Sequence, residues 1–289
     1  MATLGRLGCG TNEEGKVKSP TLSKTESMDH PKTLGLRRPP LGHKALTLEL
    51  PVVRCASSMK APEAYINWVN THLGFNPRSQ ANSDALADFV VNDLMATCPA
   101  LNAALKAGEL KPLKNPNVRT KVAERSIDLV IYEGAEVSDI SVRISVENKT
   151  IMTAHGKARK NRYGDLIAYS NHMHNHNRKC VAGAIVVVNV SPAYENPDAF
   201  AKGLLRPKFK MEKVVADTIA IFDKIPLRDT ADDPNELPEA VAAIVLDYDG
   251  VNPAKLVSGP LAPQIGSKMH YDSFSKRICD SYAERFSGG

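Results

Sequence analysis

Residues 180–190 read CVAGAIVVVNV, an unbroken apolar stretch until Asn189. A short, valine-rich run of this kind is the pattern of a strand covered on both faces. Sheets built from such strands carry helices on both sides, so the run predicts an α/β fold. The segment before it, HGKARKNRYGDLIAYSNHMHNH (155–176), is helix-compatible, with Leu166, Ile167, Tyr169 and Ser170 on one side. Before that, Ile140–Val146 and Ile127–Tyr132 alternate in the period-two manner of strands, separated by the turn-like EGAEVSD. Val118–Ala123 is a weaker strand signal.

Further upstream, Ser83 reads as the N-cap of a helix DALADFVVNDLMATC, whose Leu86, Phe89, Val90 and Leu94 recur at three- and four-residue spacing. Pro99 interrupts it, and ALNAALKAG carries on to Gly108. A shorter amphipathic helix is expected over Pro62–Leu73, anchored by Tyr65, Ile66, Trp68 and Val69. NPRSQANSD, between the two, reads as a loop. From Ser83 to Val190 the order is therefore helix, weak strand, strand, strand, helix, buried strand. Beyond it, Val214–Phe222 reads as helix, RDTADDPNELPE as an acidic loop, Ala240–Tyr248 as strand and Tyr271–Phe286 as a closing helix.

Composition narrows the class. Apolar residues make up 43% and charged residues 24% of the 289, the balance of a soluble globular chain. No apolar run approaches the roughly 20 residues that span a bilayer. The start of the chain lacks the charged-then-apolar pattern of a signal peptide, so a cytoplasmic location is expected. The five cysteines, Cys9, Cys55, Cys98, Cys180 and Cys279, are far apart and form no CxxC pair, so neither a disulfide framework nor a zinc knuckle is expected. The net charge is +5, but ten Lys/Arg against five Asp/Glu fall in residues 1–60, leaving 27 of each in 61–289. Residues 1–58, basic and without apolar periodicity, read as a disordered tail. Residues 59–289 read as one folded domain, with its core at about 83–190 and a C-terminal extension over 191–289. Any nucleic-acid role must rest on local clustering of charge rather than on the total.

One constellation stands out. ISVENK (Ile144–Lys149) places Glu147 and Lys149 two residues apart on a strand, hence on one face and about 6.6 Å apart. Asn148 points to the opposite face. Asp128 interrupts the apolar run of the preceding strand. Paired side by side, the strands bring two carboxylates and an ammonium together. Two hard oxygen donors with room for water suit Mg²⁺, which acidifies water and offsets charge on a phosphate. Lys149 would orient the water or neutralise developing charge. Taken alone, an ExK pair at the end of a strand is more often a surface ion pair; Asp128 and the basic helix that follows shift the balance toward function.

IDLVIY followed by ISVENK, with Asp128 nineteen residues before Glu147-Asn148-Lys149, resembles the PD-(D/E)xK nuclease superfamily. The resemblance covers about residues 83–190. It implies a restriction-endonuclease-like core, with a mixed central sheet flanked by helices. It also implies Asp128 and Glu147 as Mg²⁺ ligands and Lys149 as the residue assisting the attacking water. Ile127 stands where the name of the family has proline. The expectation is a Mg²⁺-dependent endonuclease of restriction type acting on duplex DNA as a homodimer; the alternative is a non-catalytic nucleic-acid-binding module on the same fold. An acid from the preceding helix sometimes joins the metal site in this superfamily. Asp84, Asp88 and Asp93 are read instead as solvent-facing helix residues, Asp84 in the first turn where an acid suits the dipole.

Lys157, Arg159, Lys160 and Arg162 lie within six positions soon after the motif. They form a candidate phosphate-contacting surface, with His155 as a further contact or proton shuttle. Lys202, Arg206, Lys208, Lys210 and Lys213 either extend that surface or form an exposed loop. His172, His174 and His176 alternate, which on a strand would make three ligands. On a helix end they are polar groups suited to the dipole, the favoured reading. No GxxxxGK[ST], no strand-GxGxxG-helix unit and no GxSxG occurs.

Overall fold

The computed structural model describes residues 59–120, 123–138, 140–175, 177–195, 202–203 and 210–287, all within one compact unit spanning residues 54–289. In chain order the elements are α1 (Ala61–Thr71), α2 (Gln80–Thr97), α3 (Pro99–Lys106), β1 (Leu110–Lys114), β2 (Asn117–Arg119), β3 (Glu124–Ser126), β4 (Leu129–Glu133), β5 (Val142–Ile151), α4 (His155–His174), β6 (Val181–Asn189), α5 (Pro192–Glu195), α6 (Met211–Asp223), β7 (Ala240–Asp247), β8 (Lys255–Leu256) and α7 (Tyr271–Phe286). Six strands make a mixed sheet in the order β1-β4-β5-β6-β7-β8, and β2 and β3 form a separate ribbon. β4 runs antiparallel to both β1 and β5; β5, β6 and β7 are mutually parallel; β8 closes the edge antiparallel.

The apolar run that predicted the fold is its central strand. Every residue of β6 is buried. Ile185 and Val187 pack with α1, α2 and α7 on one face. Ala184, Val186 and Val188 pack with α4 and α6 on the other. Gly183 is required by this packing. A Cβ there would lie 2.8 Å from Cε2 of Phe274 and 2.9 Å from Cδ1 of Ile278, both on α7 and fully buried. Gly183→Ala is therefore expected to lower stability by about 1–3 kcal/mol through overpacking, read as a fall in Tm.

Local rules account for most element ends. Pro62 sits in the first turn of α1, and Tyr65, Ile66 and Val69 line its buried face. Pro99 opens α3, and Gly108 takes positive φ (73°) just past its end. Three expectations require correction. α2 starts within the segment read as loop, and its N-cap is Ser79, whose hydroxyl accepts from the Asn82 N–H; Ser83 lies inside the helix. The sequence does not signal β1, because LKPLK has no alternation and contains a proline, which an edge strand tolerates. Cys98 and Cys279, 181 residues apart, form a disulfide with a Cα–Cα separation of 5.3 Å. Their spacing in sequence carried no hint of this, because it is the packing of the α2–α3 corner against α7 that joins them. Among the described residues, no helix is long and apolar enough to cross a membrane.

Candidate active site

β5 is ten residues long and continues past the motif to Ile151, so Glu147, Asn148 and Lys149 lie inside the strand and not at a fraying end. The strand's two edges differ there. On the β6 side, pairing runs unbroken from Ile144 to Ile151. On the other side, pairing with β4 stops at Leu129↔Val146. One step further in that register, Asp128 falls opposite Glu147. It enters β4 from a bend, with its carbonyl accepting from the Asn115 N–H at 3.1 Å.

The Asp128 carboxylate closes the gap that β4 leaves. Oδ2 accepts from the backbone N–H of Asn148 at 2.6 Å and Oδ1 from the hydroxyl of Ser83 at 2.6 Å. Ser83, expected as a helix cap, is thus the α2 residue that orients the acid. Glu147 is 3% exposed. Its Oε1 accepts from Nζ of Lys149 and from Arg125 at 3.3 Å, whereas Oε2 is buried without a partner. Burial and then the neighbouring Asp128 carboxylate push the Glu147 carboxyl above its usual range, against the pull of Lys149 and Arg125. The proximity of Asp128 and Glu147 is thus electrostatic as well as topological.

A cavity of about 230 Å³ opens at this edge, between the start of α2 and the second half of β5. Asp128, Asn148, Lys149, Ser83, Arg78 and Arg162 are among its lining residues. The Asn148 side chain faces away from Glu147, as the strand period requires. Its amide is nevertheless buried on the cavity wall with both polar atoms unpartnered. The site therefore combines two carboxylates, several cations and uncommitted buried polar atoms, an arrangement that leaves bonding capacity for a ligand. Glu147 Oε2 and the remaining lone pairs of Asp128 are hard oxygen donors of the type that Mg²⁺ takes. Among the described residues, no group of three or more His, Cys, Asp or Glu comes together to hold a metal, so an ion here would rest on these two carboxylates and on water.

The basic segment becomes the first half of α4 and divides in its roles. Lys157 and Lys160 are exposed. Arg159 pairs with Asp217 of α6 at 3.8 Å, and Arg162 pairs with Asp165 at 2.8 Å while lining the cavity. His155 is displaced from its expected role. It is 2% exposed, its Nε2 lies 2.7 Å from the Asn189 carbonyl, and it belongs to the packing between α4 and β6. A buried ring cannot reach a duplex backbone. Of the second basic run, Lys202 and Lys210 are exposed and Lys213 pairs with Asp217, while Arg206 and Lys208 lie outside the described residues.

Of the alternating histidines, His172 and His174 do not converge. His172 lies 3.2 Å from the Val118 carbonyl, and burial pushes its imidazole below the usual range. His174 is fully buried beside Glu239, and His176 lies outside the described residues. The acids of α2 are not all idle on the surface. Asp93 accepts from the first N–H of α1 at 2.5 Å, and Asp84 accepts from Asn115; Asp88 is exposed and pairs with Lys114.

The sequence does not mark Arg125, which lies on β3 three residues before Asp128, between the segments that read as strands. Only the ribbon's position beside α4 delivers it to Glu147. Comparison of the chain with protein-family models, with curated protein sequences and with solved structures gives no match.

Proposed function

We propose that the chain is a Mg²⁺-dependent endonuclease of restriction type that hydrolyses phosphodiester bonds of duplex DNA, on a PD-(D/E)xK core formed by α2, β1, β4, β5, α4 and β6. The observation that carries this reading is the meeting of Asp128, Glu147 and Lys149 at the unpaired edge of β5, beside a cavity, with Glu147 Oε2 buried and unpartnered. Lys149 and Arg125 both load Oε1 and leave Oε2 open to a further partner. Asp128 and Glu147 would hold the ion. When bound, it supplies positive charge for the phosphate and a more acidic water.

The side chains divide the remaining work. Ser83 and the Asn148 N–H fix Asp128 before substrate arrives, so orientation requires no rearrangement at the moment of reaction. Lys149, half-buried on the cavity wall, orients the attacking water and neutralises charge as the new P–O bond forms and the bond to the leaving oxygen breaks. Lys157 and Lys160 grip the duplex backbone through its phosphates, which positions DNA without reading sequence. Cutting both strands of a duplex favours a two-fold homodimer.

A non-catalytic DNA-binding module on the same fold is favoured by one observation, the absence of a third metal-ligating side chain among the described residues. A pool of sequence-diverse duplexes incubated with the protein separates the two readings. Cleavage with Mg²⁺ and none with EDTA is the expected result. Binding in both conditions with no cut across the pool would establish the module.

A further inference from the structure

We infer that Arg125 is a phosphate-contacting residue of this site, held on Glu147 until substrate and metal displace it. The inference rests on the nuclease reading and adds a residue to it. Glu147 is loaded unevenly, since Lys149 and Arg125 both donate to Oε1 while Oε2 receives nothing. The two cations share one oxygen and leave the other open.

Arg125 is the looser of the two. Its Nη2 reaches Glu147 Oε1 at 3.3 Å and the Asp165 carbonyl at 3.4 Å, both long for hydrogen bonds. Its guanidinium lies 6.0 Å from the ring centroid of Tyr169, a fully buried residue whose hydroxyl is fixed to Ser145 at 2.7 Å. A planar cation over a rigid aromatic face can shift along it while keeping the cation–π attraction. The side chain is 27% exposed, so it reaches solvent from a position three residues before Asp128.

The electrostatics give Arg125 two effects of opposite sign. Without DNA, its charge beside Glu147 opposes a divalent cation at the same carboxylate. With DNA, the guanidinium fork matches two phosphate oxygens, which are stronger partners than two long contacts to one carboxylate and one carbonyl. Arg125 would then pass from the Glu147 carboxylate to phosphate, and Glu147, freed of the arginine, would be left to hold the ion. The site would then favour the metal when substrate is present.

Arg125→Met and Arg125→Lys test this through binding as well as turnover. Mn²⁺ titrated calorimetrically into DNA-free protein is expected to bind Arg125→Met about 3- to 10-fold more tightly than wild type. Duplex binding with Ca²⁺ in place of Mg²⁺, so that metal and phosphate are both present, is expected to weaken about tenfold, with the slope of log K against log salt smaller by about one. Arg125→Lys restores the charge and hence the salt slope, without the fork. Unchanged Mn²⁺ affinity, or an unchanged salt slope, in Arg125→Met overturns the assignment even if wild type cuts DNA. A wild-type protein that neither binds Mn²⁺ nor cuts DNA overturns the nuclease reading itself, and the role of Arg125 with it.

Discussion

Glu147→Gln is expected to lower Mg²⁺-dependent duplex cleavage by at least about 10³-fold, with the melting temperature unchanged or raised. The two halves of this result have one cause. Glu147 is buried, lies beside Asp128 and has an oxygen with no partner. It is therefore an expensive residue for the fold and useful only if a ligand completes it. Glutamine keeps the shape, removes the charge that burial and Asp128 oppose, and offers a divalent cation only a neutral amide oxygen in its place. Lys149 and Arg125 lose their shared acceptor, but both retain solvent access, at 17% and 27% exposure, and can be hydrated. Asp128→Asn and Lys149→Met are expected to abolish cleavage in the same way. Cleavage assays paired with thermal melts check all three. A Glu147→Gln protein that melts several degrees lower and still cuts DNA would make the ExK pair a structural ion pair.

Glu239→Gln should show the opposite behaviour: a loss of about 3–5 kcal/mol of stability. Glu239 is fully buried at the start of β7. Its carboxylate accepts from Arg285 at 2.7 Å, from Arg228 at 3.2 Å and from the Ala182 N–H of β6 at 2.6 Å, and lies 3.2 Å from His174. Arg228 is itself fully buried and Arg285 is 5% exposed, so removing the carboxylate leaves two guanidinium groups without their counter-charge where water cannot reach them. Burial pushes the Glu239 carboxyl upward, but hydrogen bonding and charge from His174 and Arg285 outweigh it, and the group ends below its ordinary value. A carboxyl depressed in the folded state contributes stability that is fully present above its unfolded pKa and is lost as pH falls toward the folded one. Wild type should therefore lose stability in acid, below the ordinary glutamate range, more steeply than Glu239→Gln does. Denaturant melts at several pH values provide the comparison.

These two glutamates show how far sequence patterns reach. In the sequence both border apolar runs, and neither run distinguishes them. Glu239 closed a segment read as an acidic loop, yet it and Arg228 at the loop's other end are buried in one network. Lys149 two residues on and Asp128 in the segment before mark Glu147. Strand periodicity put Glu147 and Lys149 on one face, and the antiparallel register put Asp128 opposite Glu147. The same periodicity carried the elements with strong patterns: β6 from its unbroken apolar run, α1 from its anchors, and α7 from Tyr271 to Phe286.

What the sequence by itself determined is local and periodic: which segments are helices or strands, which faces of them are apolar, and which charged side chains share a face. Those properties follow from the two fixed periods of the backbone and from side-chain chemistry within a few residues. What only the tertiary structure decided is everything that joins distant segments. It set the edge strand β1, the Cys98–Cys279 bond, the burial of His155, the turn of Ser83 toward Asp128 and the arrival of Arg125 at Glu147. Each depends on which surfaces meet when the layers pack, and loop closure over tens of residues leaves no periodic trace in the chain that specifies it.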